Sequence, residues 1–189
     1  YEGKFSISNS SFTQVARSDE SLPTVSGNLN GIVDVSGTQA ANPKVQLVVD
    51  GMKVRLISHL DLNEPFAVLA NPEESGGHSA ICSLKRIDVG FGTITSSSRV
   101  SGITEQESDS KNCREVSQAK IVFDTVTANE FGGIAAKYRG DLSFTNADNP
   151  DVVSFSDIYV SGTVISDSPE KVSGIVGQGR RGTYLVENA

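Results

Sequence analysis

Two histidines, two cysteines and several acid-rich stretches are the residues of this 189-residue chain that chemistry could use. His59 and His78 are candidate bases for a hydrolase. A serine such as Ser79 attacks a carbonyl only when a neighbouring base takes its proton. No Gly-x-Ser-x-Gly elbow accompanies either histidine, so a hydrolase using His78 or His59 ranks behind two non-catalytic readings. The two histidines and two cysteines match no zinc module in spacing. The turns 146–151 and Asp61-Asn63-Glu64 lack the ligand order of a calcium loop. Gly174-Ile175-Val176-Gly177-Gln178-Gly179 has the wrong order for a dinucleotide loop. No metal or cofactor is expected. Cys82 and Cys113 are instead an even pair in a Ser- and Gly-rich chain, read as a disulfide and hence as a sign of an oxidising compartment.

Charge gives the next constraint. The 16 basic and 23 acidic side chains leave a net charge of −7. That balance argues against a nucleic-acid surface and favours a protein partner with a basic face. The candidate contact residues sit in polar stretches read as loops. They are Glu73, Glu74 and His78 in 71–78, Glu105, Glu107 and Asp109 in 104–112, and Asp148 and Asp151 in 146–151. Arg180 and Arg181 are further candidates, either holding an anion or forming a charged turn. Asn9-Ser10-Ser11 fits a glycosylation acceptor, and Arg139-Gly140-Asp141 is an integrin-type tripeptide placed in a strand, where chance explains it better.

The elements that would position these residues are strands. Val, Ile and Thr number 44 against 11 for Leu and Met, and β-branched side chains suit a pleated surface. Phe5 and Ile7 alternate with polar neighbours. Val45–Val49 and Met52–Leu56 flank Asp50-Gly51, which predicts a tight hairpin. Residues 80–89 and 91–103 read as two strands around Gly90 and Gly92, and 121–126, 152–165 and 171–186 as further strands. Val-Ser-Gly recurs at 25–27, 35–37, 100–102, 160–162 and 172–174 with no fixed period; compositional chance explains it better than a repeat. The expectation is an all-β domain over 1–189, an antiparallel β-sandwich or closed β-barrel of about ten strands with little or no helix. Residues 1–16 would be an edge strand or extension.

The longest apolar run, Phe66–Ala70, is far too short for a membrane helix. The first residue is Tyr1 rather than Met, which suggests a removed leader and leaves room for a lipid anchor upstream. The expected role is a non-catalytic binding or adhesion module outside the cytoplasm: secreted, periplasmic or anchored at the cell surface. The alternative is a structural subunit of a surface or pilus-like assembly, polymerising by strand pairing through 1–16.

Overall fold

The structure, a computed structural model, describes residues 3–15, 24–27, 33–34, 45–71, 80–104, 111–139, 152–180 and 183–189. These residues are almost all strand, with one 3₁₀ turn at Pro169–Lys171. Every strand pair among them is parallel. That overturns the antiparallel sandwich, and no closed barrel is found.

The main wall is built from β1 (Gly3–Thr13), β4 (Val45–Leu56), β8 (Ala80–Ser96), β10 (Lys111–Thr127), β13 (Val152–Ile165) and β16 (Thr183–Glu187), hydrogen-bonded in that order. β2 (Thr24–Gly27) and β5 (His59–Leu62) extend it beside β8. A second wall stacks β6 (Phe66–Ala67), β9 (Arg99–Ser101), β11 (Glu130–Gly132) and β14 (Val172–Ser173). Beyond a corner lie two more parallel pairs, β3 (Val33–Asp34) with β7 (Ala70–Asn71), and β12 (Ala135–Arg139) with β15 (Val176–Arg180). The chain therefore winds in successive coils, each laid beside the last. Val45 faces Ala80, Ala80 faces Lys111, and Val152 faces Thr183. Parallel strands usually need helical crossovers. Here the short second-wall strands carry the chain around, which is the architecture of a β-solenoid.

Like residues stack on like. One rung of the main wall runs Ile7, Val49, Leu84, Val116, Phe155, Val186. The next runs Met52, Ile87, Ala119, Ile158, and another Leu60, Ile94, Val126, Val164. The second wall adds Phe66, Val100, Phe131 and Val172. At the corner Leu69 N–H donates to Ile103 O, Ile103 N–H to Ile134 O, and Ile134 N–H to Ile175 O. Most of these side chains are buried, and each fully buried aliphatic side chain contributes about 1.5–3 kcal/mol relative to exposure. Phe91 and Phe123 stack with centroids 5.1 Å apart, and Phe131 tilts against Phe123 at the same distance.

The hairpin expected at Asp50-Gly51 is absent: β4 runs straight through it and pairs with β8 on both sides. Gly51 does have positive φ, 79°. It is one of a row. Asn9, Gly51, Arg86, Gln118, Asp157 and Asn188 all have φ between 47° and 79°, and the flanking registers align them across five neighbouring strands and the residue just after the sixth, β16. At this row the inward alternation breaks, from Val49 to Met52, Leu84 to Ile87, Val116 to Ala119 and Phe155 to Ile158. In sequence such a break with an Asp-Gly reads as a reversal. In the fold it is a bend that β1, β4, β8, β10 and β13 make together.

Other expectations shift as well. The two strands around Gly90 and Gly92 are one, β8, and Val100 to Ile103 turn away from it into the second wall and the corner. Two of the Val-Ser-Gly tripeptides, 100–102 and 172–174, occupy equivalent places, with Phe131-Gly132-Gly133 between them. Gly133 packs so closely that an added Cβ would overlap the Gly174 carbonyl oxygen and approach Val160 to 2.6 Å. The tripeptides 25–27 and 160–162 belong to the main wall, and 35–37 lies outside the described residues.

Candidate recognition edge

The strands fix where the connecting segments leave and return. Segments 35–44, 72–79, 105–110, 140–151 and 181–182 each join the end of a corner strand or bridge to the start of a main-wall strand. Their return points are neighbours: Val45, Ala80 and Lys111 are mutual partners, as are Val152 and Thr183. Two of their departure points are paired as well, Asp34 with Asn71 and Arg139 with Arg180. The five segments are thus attached along one edge of the stack, although far apart in sequence.

Most of the residues singled out from sequence fall there. Glu73, Glu74, His78, Glu105, Glu107, Asp109, Asp148, Asp151 and Arg181 lie outside the described residues, as do Ser79, Gly140 and Asp141. Arg180 ends β15 with its backbone opposite Arg139. Arg180, expected to hold an anion or form a charged turn, instead finishes a strand, and Arg139 finishes one as the sequence predicts. Lys111 and Asn112, read as loop, begin β10, and Asn71 ends β7. Cys82 and Cys113, described by their backbones, are Cα partners in β8 and β10. Among the described residues the structure has no disulfide.

His59 opens β5, and its Nε2 lies 3.3 Å from Thr95 Oγ1. Among the described residues no carboxylate hydrogen-bonds it, and no three His, Cys, Asp or Glu side chains gather as a metal site would need.

The outer face of the main wall carries polar contacts that sequence reading missed. Asp50 accepts a 2.6 Å hydrogen bond from Arg86 Nε, and Arg86 Nη2 also reaches Asn9 Oδ1 at 3.3 Å. Gly51 leaves the room for this: a Cβ there would stand 2.7 Å from Asn9 Oδ1 and 3.2 Å from Arg86 Nη2. The Arg86 hydrogen bond, aided by its charge, holds the Asp50 carboxyl below its ordinary value, and Asp50 raises Arg86 in return. Both groups are exposed, so water screens the pair. Arg55 Nη2 donates to Asp88 Oδ2 at 2.6 Å and Arg55 Nη1 to the Asp88 carbonyl at 3.0 Å. Lys120 Nζ sits 6.0 Å over the Tyr159 ring. These groups bridge neighbouring coils, and the only sequence signal for them is register, which needs the coil spacing first.

At the C-terminal end an open cleft of about 350 Å³ is lined by Phe155, Ile175, Val176 and Val186, with Ser173 and two glycines. Among the described residues nothing covers this end of the apolar column. Ser173 Oγ already accepts from Ile175 N–H at 3.1 Å, so few polar groups converge there. No helix among the described residues is long and apolar enough to cross a membrane. No family model, curated protein or solved structure matches this chain.

Proposed function

We propose that the protein is a non-catalytic recognition scaffold working outside the cytoplasm, whose stacked coils hold an acidic edge toward a protein partner with a basic face. The observation that carries this reading is where the acidic segments attach. Segments 72–79, 105–110 and 140–151 contain eight carboxylates and no Lys or Arg. Since the whole chain carries −7, the remainder of the molecule is close to neutral. The strand registers tether all three segments to one edge. In solenoids, insertions that vary between repeats map to one face, often the binding face. Concentrated negative charge raises the encounter rate with cationic partners and makes binding salt-dependent.

The test titrates Lys- and Arg-rich peptides of about 15 residues, at low and at physiological salt. The comparison is a variant with the eight acids changed to Asn or Gln. Salt-sensitive binding that weakens at least tenfold in the variant supports the reading. Equal binding by both proteins removes the edge from it.

A second reading has its own observation. β1 and β16 close the two ends of the main wall, each paired on one side, and Leu185 and Val186 are nearly half exposed. Parallel pairing of β16 with β1 of a second copy would make a structural polymer. Sedimentation over a dilution series, with and without residues 1–16, tests it. A concentration-independent monomer counts against it.

A further inference from the structure

We propose that Cys82 and Cys113 are oxidised to a disulfide that bolts one coil to the next at the point where segment 105–110 returns to the main wall. These are the chain's two cysteines. The fold brings them, 31 positions apart, to one register position on adjacent parallel strands. Neighbouring strands lie roughly 4.8 Å apart, inside the roughly 4.4–6.8 Å window of Cα separations that a disulfide spans.

The register itself is adjusted at this point. Lys111, Asn112 and Cys113 face Ala80, Ile81 and Cys82, while Glu115 faces Ser83. One residue of β10, Arg114, is extra. Had the downstream register simply continued, Arg114 would stand opposite Cys82 and Cys113 opposite Ile81. The bulge is what sets cysteine against cysteine. Bulges re-aim side chains at sheet edges and functional sites, and this one falls three residues after the strand begins.

The oxidant is a small-molecule disulfide such as oxidised glutathione. One cysteine thiolate attacks it, forming a mixed disulfide and releasing one glutathione thiolate. The second cysteine thiolate then attacks the protein sulfur of that mixed disulfide and expels the other. The two protons lost by the cysteines end on the two glutathione thiols. The protein pair is oxidised by two electrons and glutathione disulfide is reduced by two. The bond would close a ring of about one coil and constrain the unfolded chain. It makes no use of the acidic edge, and stands whether or not that edge binds a partner.

The test incubates the full chain with oxidised or reduced glutathione, alkylates free thiols and measures intact mass and a peptide map. The expected result is loss of two hydrogens, no alkylation, and one linked peptide pair holding Cys82 and Cys113. Tm should rise by about 10 °C in the oxidised form and fall back with reductant. In the double variant Asn112→Cys, Cys113→Asn, the moved cysteine stands opposite Ile81, and closure should slow at least tenfold. Two alkylated thiols after oxidation would overturn the proposal, as would a glutathione adduct or a disulfide-linked dimer as the end product. Equal closure rates for the moved cysteine would overturn the role of the bulge.

Discussion

Changing Gln118 to Gly should make the protein more stable, against the usual effect of glycine in a strand. Gln118 has φ 53°, a conformation costing an L-residue with a Cβ about 1–2 kcal/mol. Glycine escapes that cost but gives up about 0.5–1 kcal/mol of extra unfolded-chain freedom. The Gln118 side chain is exposed and has no hydrogen-bonding side-chain partner among the described residues, so the net gain is about 0.5–1 kcal/mol. For a chain of this length that is a rise in Tm of roughly 1–4 °C. Asp124→Gly is the control. It lies on the same strand, is exposed and is not among the positive-φ residues. It should lose about 0.5–1 kcal/mol. Calorimetry on both variants decides. A Gln118→Gly Tm at or below wild type, or equal shifts in the two variants, would show that the bent row carries no backbone strain. Arg86 is a poorer choice because its guanidinium also bonds Asp50 and Asn9.

Gly133→Ala should be among the most damaging small substitutions, because its methyl meets the Gly174 carbonyl and Val160; a loss of about 3 kcal/mol in urea unfolding is expected, and a loss below about 0.5 would contradict the close packing. Leu84→Ala removes a fully buried side chain from the middle of a six-residue rung and should cost about 2–5 kcal/mol, read from the same urea titration. Asp50→Asn tests the outer-face pair by pH. Its lowered carboxyl stabilises the fold above the ordinary value of 3.8, and that contribution is lost as pH falls through the lower folded value. The variant's urea midpoint should therefore lie below wild type at neutral pH and converge with it in acid, once pH has fallen through the lowered folded value; a gap that persists in strong acid would exclude the mechanism.

The strand content was legible because β-branched residues and period-two alternation report it locally. Direction was not. A parallel coil and a hairpin both present short apolar runs between turn residues, and Asp50-Gly51 is a good turn dipeptide in either. What distinguishes them is agreement between coils. Gly51 precedes Phe66 by 15 residues, Arg86 precedes Val100 by 14, Gln118 precedes Phe131 by 13 and Asp157 precedes Val172 by 15. That near-constant span is the repeat. The edge segments, 8, 6 and 12 residues long at 72–79, 105–110 and 140–151, scatter the full coil length and hide it. The five Val-Ser-Gly tripeptides hide it further, because two of them, 25–27 and 160–162, occupy a different wall. The acidic segments could be found from composition, but that the strands flanking them attach at one edge required the register.

The aligned bend has one more consequence. A stack of similar rungs is prone to slide, since valine on isoleucine packs almost as well one notch along. Sliding a strand by a single residue would set its left-handed kink against straight backbone and turn its apolar face outward. Five strands bent at the same place, with Asn188 continuing the row just past β16, act like the teeth of a rack, admitting a neighbour only where kink meets kink. Alignment of coil on coil is then set by backbone shape as well as by side-chain packing.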